Sequence, residues 1–191
     1  MRKTVYIIAG PNGAGKTTFA LQYLKDITGC DNFINADMIA QGLMPLSPPN
    51  ALYEAGVIFL QRINRHIDRK EDFAFETTLS GRTYMNLLKR LRDDHWRIVL
   101  FFLWIPGPEY SLKRVRERVR QGGHDIPEQT IYRRYPRLLK NFKEMYRHLC
   151  DEIYCYDNSG VVPKIIFYQN KDETKIIDHL IYEKIMSYNN D

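Results

Sequence analysis

No apolar run in this 191-residue chain is long enough to cross a bilayer; the longest, Ile98 to Ile105, falls far short of the roughly 20 residues a spanning helix needs. Nor is a cleavable leader expected from these residues. Met1-Arg2-Lys3 runs into Thr4–Ala9, and Gly10 and Pro11 follow at once where a small-residue cleavage site would stand, so Thr4–Ala9 reads as a first strand. Without an export signal, a cytoplasmic location is expected, with no membrane among the partners. Cysteine is scarce: Cys30, Cys150 and Cys155 form no metal pattern, and an odd count in such a chain suggests reduced thiols. Internal repeats, low-complexity tracts and Pro/Gly/Ser-rich linkers are missing, so residues 1–191 are expected to form one domain with a sizeable core. With 44% apolar and 27% charged residues, the chain excludes disorder as its default state.

Acids are few in one stretch. From Lys113 to Lys143 the chain carries Arg114, Arg116, Arg118, Arg120, Arg133, Arg134, Arg137 and Lys140 against Glu117, Asp125 and Glu128, so the net charge of +5 is not spread evenly. A local basic cluster suits an anionic ligand; nucleotide phosphates or nucleic acid would each satisfy it.

Strand and helix patterns alternate. Thr4–Ala9, Phe33–Asn35, Phe73–Phe75, Arg97–Ile105, Ile153–Tyr156 and Lys164–Tyr168 read as strands. Helices are expected from Lys16 to about Lys25 and over Asn50–Arg69, Arg82–Asp94, Glu109–Arg120, Pro127–His148 and Lys175–Met186, with Pro136 a kink or break. Alternation at these lengths predicts an α/β domain whose mostly parallel sheet is covered on both faces.

Gly10-Pro11-Asn12-Gly13-Ala14-Gly15-Lys16-Thr17 fits the phosphate-loop pattern G-x-x-x-x-G-K-[ST] at every fixed position, between an apolar strand and an amphipathic helix. Gly13 and Gly15 let the backbone curl so that successive N–H groups face phosphate oxygens. The helix starting near Lys16 turns its positive end to the same anion. Lys16 can bridge the β- and γ-phosphates of ATP, and the Thr17 hydroxyl can ligand Mg²⁺.

Phosphoryl transfer to a hydroxyl needs a carboxylate that takes or orients the acceptor's proton. Asp37, just beyond the strand Phe33–Asn35, is the candidate; as an alternative, it caps the helix beginning at Met38. Glu76, at the end of Phe73–Phe75, suits a metal-holding position, an acceptor hydrogen bond, or a plain surface position. Thr77, Thr78, Ser80 and Arg82 follow it, a polar run suited to hydroxyl and anion recognition. Arg116, Arg120, Arg133 and Arg134 flank Gly122-Gly123 and could fold as a lid over the nucleotide, around residues 113–140. His124 in that hinge is read as a loop residue without a catalytic task.

Four segments together carry a resemblance: Gly10–Thr17; Asn35-Ala36-Asp37; Phe75-Glu76-Thr77-Thr78-Leu79-Ser80-Gly81; and Arg120-Gln121-Gly122-Gly123-His124 with Ile131-Tyr132-Arg133-Arg134-Tyr135. From about residue 4 to 160 the chain resembles the zeta-toxin-like P-loop kinases, and within them a small chromosomal branch. The resemblance implies a three-layer P-loop α/β/α sandwich like the nucleotide kinases, with a helical lid and with ATP and Mg²⁺ as cofactors. It implies that Gly10 to Thr17, with Thr18 and Asn158, hold the nucleotide, Asn158 near the adenine. Thr17 and Glu76 would serve the metal, and Asp37 would activate the acceptor hydroxyl. Lys16, Arg120 and Arg133 would act on the γ-phosphate, with Arg134 the fallback for Arg133. Asn35, Glu76, Thr77, Thr78 and Arg82 would meet the acceptor, for which the resemblance names UDP-N-acetylglucosamine, and an antitoxin protein would be the partner. Two other readings stay open: a polynucleotide-end kinase or nucleic-acid-binding NTPase, disfavoured because the arginines gather where a nucleotide lid would lie, and a non-catalytic nucleotide-binding module.

Overall fold

Every residue of β1 (Thr4–Ala9) is buried, as its unbroken β-branched and aromatic content demands of a strand covered on both faces. In the computed structural model, which describes residues 2–123 and 125–188, β1 lies inside one sheet with β2 (Phe33–Ile34), β3 (Phe73–Thr77), β4 (Arg97–Trp104), β5 (Glu152–Asp157), β6 (Lys164–Gln169) and β7 (Thr174–Ile176). The order is β2-β3-β1-β4-β5-β6-β7. The first five are mutually parallel, and β6 and β7 add antiparallel at the far edge. β4 is buried from Ile98 to Trp104, so layers of helix cover the sheet on both sides. The expected three-layer α/β/α sandwich is what the chain adopts.

The helices are α1 (Lys16–Phe19), running through a π-type stretch into α2 (Lys25–Thr28), then α3 (Ala36–Leu43), α4 (Leu52–Asp68), α5 (Met85–Asp93), α6 (Pro108–Arg120), α7 (Glu128–Glu144) and α8 (His179–Met186). Three expectations need correction. Asn35 is not strand: its side chain accepts the Met38 amide and caps α3, which starts at Ala36 and not at Met38. Asp37, in the first turn of α3, is therefore not the cap. Lys175–Met186 is not one helix, because Thr174–Ile176 pairs with β6 and Asp178 caps α8 through the Ile181 amide. Finally, α7 runs unbroken past Pro136. Proline removes one helical hydrogen bond, but the buried side chains Tyr135, Leu138, Leu139 and Phe142 hold the helix to the sheet on either side of it.

Strand order reverses at β1: the chain steps out to β2, returns to β3 beside β1, then crosses to β4 on the other flank. In such a sheet the crevice beyond the carboxyl ends of the strands at the reversal is where ligands sit. The parallel register places Ile8 beside Glu76 and Ala9 beside Thr77, so the loop after β1 and the end of β3 open into the same crevice.

At the opposite end of the sheet, the buried carboxylate of Asp151 accepts the Ile98 amide at 2.7 Å and pairs with Lys171 at 2.8 Å and Arg2 at 3.3 Å. Burial alone pushes this carboxyl up, but Lys171, the Ile98 N–H and Arg2 together outweigh it and hold it below its ordinary value. A depressed carboxyl adds stability that is complete above its unfolded value near 3.9 and is lost as the pH falls through its folded value. Asp151→Ala, which strands the Ile98 amide, is expected to cost about 1–3 kcal/mol at neutral pH. Urea unfolding should show that difference shrinking on acidification below about pH 4.

Candidate active site

The loop after β1 is built by its glycines. Gly13 and Gly15 adopt φ of 74° and 75°, in the left-handed region that residues with a Cβ avoid. A Cβ on Gly15 would stand 2.9 Å from Asn158 Nδ2. Two other elements brace the turn. Ser111 Oγ of α6 donates to the Asn12 carbonyl at 2.7 Å, and Asn158 Nδ2 donates to the Ala14 carbonyl at 2.6 Å. α1 starts directly behind, with its free amides facing the turn.

Lys16 is buried, and its Nζ donates to the Pro11 carbonyl at 2.9 Å and lies 3.7 Å from Glu76 Oε1. Desolvation lowers its pKa; Glu76 and Asp37 act against that shift, and Arg118 adds to it. The other oxygen, Glu76 Oε2, accepts from Thr17 Oγ1 at 2.7 Å and from Asn35 Nδ2 at 2.6 Å. With only 13% of its side chain exposed, Glu76 is not a surface residue. Hydroxyl and carboxylate oxygens side by side form the hard donor set that suits Mg²⁺.

A cleft of about 460 Å³ collects Asn12, Gly13, Lys16, Thr17, Asn35, Asp37, Glu76, Thr77 and Thr78. Of the residues expected at the site these share one space; Gly10, Pro11 and Ala14 shape the turn beneath them. Thr18 and Asn158 are on the other flank of α1, where with Gly15, Gln22, Tyr23 and Arg114 they line a smaller cleft of about 180 Å³. Arg82 is exposed and lines neither cleft.

The arginines are placed differently from expectation. Arg120 and Arg133 are exposed and do not line the cleft; Arg118 and Arg134 do. Helical geometry is the reason. On α6 the buried positions Ser111 and Val115 put residue 118, one turn further on, on the inward face, and residue 120 points nearly opposite. On α7, Ile131 and Tyr135 set the inward face; Arg134 flanks it and Arg133 faces out. Arg116 is tied at 2.9 Å to Glu128, an ion pair between the two helices. Val115, Ile126 and Ile131 form a small core of their own where α6 and α7 meet. His124 lies outside the described residues.

Two features escaped the sequence reading. Arg114 donates to the carbonyls of Asn158 at 2.7 Å and Ser159 at 2.9 Å, and its guanidinium stacks on Tyr110 with 5.0 Å to the ring centroid, so it ties the loop after β5 to α6. Only its helical spacing from Ser111 and Arg118 could have flagged it. The second is a strained turn. Leu79 is buried with φ of 53°, a conformation costly for a bulky residue. Asn141 Nδ2 donates to its carbonyl at 2.8 Å, Tyr146 Oη donates to the Gly81 carbonyl at 2.8 Å, and the Thr77 hydroxyl accepts its amide at 3.1 Å. Thus pinned, the turn presents Thr77, Thr78 and Ser80 to the cleft.

No family model matches the chain. An uncharacterized protein of Haemophilus influenzae is 29% identical over 135 residues, 71% of this chain and 94% of that protein. A chain from the crystal structure of AvrRxo1-ORF1:-ORF2 with ATP is similar with a TM-score of 0.74 at 16% identity, across 97% of the present chain and 64% of its own. The present chain therefore spans just under two thirds of that protein's length. A chain of the PezAT chromosomal toxin–antitoxin system of Streptococcus pneumoniae gives 0.69 at 16% identity, across 96% of this chain and 77% of its own. At such identities the likeness establishes the fold, and it is the fold expected from the motifs.

Asn141→Leu keeps the side chain's approximate size and removes the donor to Leu79. It is expected to destabilise by about 1–3 kcal/mol in denaturant unfolding.

Proposed function

We propose that this chain is a zeta-toxin-like P-loop kinase, which binds ATP through Gly10–Thr17 and transfers the γ-phosphate to a hydroxyl of a small-molecule acceptor. One observation carries the reading. The phosphate-loop lysine, the Thr17–Glu76–Asn35 cluster, Asp37 and two arginines converge on a single cleft beyond the strand ends. The bound ATP of the AvrRxo1-ORF1:-ORF2 structure, a protein of the same fold, supports the choice of nucleotide.

The turn's amides and Lys16 would hold the β- and γ-phosphates; an arriving anion would replace Pro11 and Glu76 as the partner of the buried ammonium. Thr17 and Glu76 would hold Mg²⁺, which when bound neutralises charge on the phosphate oxygens. Asp37 would accept the acceptor hydroxyl's proton as the new oxygen–phosphorus bond forms and the bond to the bridging oxygen of ADP breaks. Arg118 and Arg134 line the cleft and would take the clamping role expected of Arg120 and Arg133, with the α6–α7 pair as the lid that excludes water. Thr77, Thr78 and Ser80 would orient the acceptor. Thr18 and Asn158, on the far flank of α1, lie where the base would follow the phosphates. UDP-N-acetylglucosamine is the acceptor to test first. An antitoxin-like partner is part of the proposal, since the PezAT structure belongs to a toxin–antitoxin system.

The decisive assay offers γ-labelled ATP with a metabolite pool containing UDP-sugars, and with 5′-hydroxyl oligonucleotides in parallel. A labelled small molecule supports the reading; label only on oligonucleotide, or none anywhere, refutes it. Asp37→Asn is expected to lower kcat by about 10²–10⁴-fold with ATP affinity by calorimetry nearly unchanged. Arg118→Ala and Arg134→Ala are each expected to lower kcat by about 10²-fold or more, whereas Arg120→Ala and Arg133→Ala should stay within a few fold of the parent. Equal losses at all four positions would reject the assignment of the clamp.

A further inference from the structure

A second concave surface lies along the sheet edge formed by β2. Its floor is Phe33 and Ile34, and its walls are α3 and α4. Towards the catalytic end it is apolar, lined by Met38, Ile39, Leu43 and Ile58. Met38 and Leu43 are 45% and 38% exposed there, a cost the chain bears on its own. Towards the amino end of β2 the groove widens to about 620 Å³ and becomes basic, lined by Arg62, Arg65 and Arg69. Arg62 borders both halves, so the surface is continuous.

Arg62 and Arg65 on α4, and Arg69, the residue that caps its carboxyl end, continue one stripe at the i, i+3, i+7 spacing of a single helix face. The two carboxylates that line this half of the groove are already engaged: Asp31 pairs with Lys25 at 2.9 Å, and Glu71 pairs with His66 at 2.9 Å. Among the described residues none of these three guanidiniums holds a hydrogen bond or ion pair. They stand at the end of the sheet away from the phosphate loop, so they contribute nothing to the nucleotide site.

We propose that this groove docks an acidic amphipathic helix of a partner protein. An apolar trough between two helices takes the apolar face of a third, as in other helix-in-groove complexes. The row of unpaired cations at one end selects carboxylates on the flank of the incoming helix and fixes its direction. The proposal does not depend on the kinase reading.

The test uses the full chain and fluorescein-labelled synthetic peptides of about four helical turns. One carries leucines at helical spacing with glutamates along one flank. A second scrambles that composition, a third replaces glutamate by lysine, and a single-stranded oligonucleotide of comparable charge serves as the nucleic-acid probe. Fluorescence anisotropy is expected to show the first binding, weakening as salt rises, with the lysine peptide silent. The combined change Arg62→Glu, Arg65→Glu, Arg69→Glu should weaken it by about tenfold or more. The exposed, partnerless arginines make that variant's unfolding midpoint close to the parent's, and the triple glutamine variant should show an intermediate loss. Leu43→Asp should weaken binding with every arginine still in place. No binding of the first peptide, equal binding of the scrambled one, tighter binding of the oligonucleotide, or indifference to the arginine changes would each overturn the proposal.

Discussion

Glu76 joins three segments that are distant in sequence. Its carboxylate receives Thr17 from the first turn of α1 and Asn35 from the cap of α3, and it lies 3.7 Å from the buried Lys16 ammonium. A carboxylate this enclosed is costly unless it is compensated; here Oε2 accepts two hydrogen bonds and Oε1 faces the Lys16 ammonium. Removing it would leave a buried lysine without its counter-charge and Asn35 without its acceptor, so the phosphate loop and the start of α3 are positioned by the same group. That Asn35 also caps α3 through its other side-chain atom makes Asp37's place in the cleft a consequence of the same contact.

Lys16 carries the complementary tension. Burial drives its pKa down, and a carbonyl and one carboxylate oxygen are its compensation. A polyanion offers an ammonium far more than a peptide carbonyl does. The fold thus holds this buried cation by a carbonyl at 2.9 Å and a carboxylate oxygen at 3.7 Å, partners that a polyanion would displace. The Leu79 turn is a second local cost on the same cleft, pinned from α7 by Asn141 and from beyond it by Tyr146. Strain and under-compensated charge are tolerated at this crevice because the surrounding core, from Val5 to Phe167, is continuous and apolar.

Much of this was legible in the chain before the structure. β1 and the phosphate loop were read with their bounds, because an apolar run followed by a motif with fixed glycines leaves few alternatives. β4 was read to within one residue for a similar reason: a strand buried on both faces is a solid apolar block. The strand ends point to Asp37 and Glu76 as candidates, the resemblance favours Asp37 over its alternative as a cap, and both acids line the cleft. What failed was orientation. Arg118 and Arg120 are two residues apart in a basic segment, and only the buried positions Ser111 and Val115 reveal which one turns inward. Asn35 reads as strand and Asp37 as the alternative cap because either side chain can cap a helix; the sequence does not say which residue comes first out of the sheet. The segment Lys175–Met186 reads as one helix because a three-residue strand at an edge, Thr174–Ile176, leaves almost no periodic signal.

The arginines also show why a charge count over a sequence window misleads. The window from 113 to 143 suggested one basic site, but the fold divides it. Arg114 is consumed by backbone carbonyls, Arg116 by Glu128, Arg118 and Arg134 face the cleft, and Arg120 and Arg133 face solvent. Meanwhile Arg62 and Arg65, in a helix whose sequence looks merely amphipathic, and Arg69 at its carboxyl-terminal cap gather at a groove because α4 and its last turn wind them onto one stripe. A positive charge becomes a binding feature only when its neighbours leave it uncompensated and its helix turns it toward a concavity. Both conditions belong to the packed chain, and by both the β2 edge is as distinct a feature of this molecule as the phosphate loop.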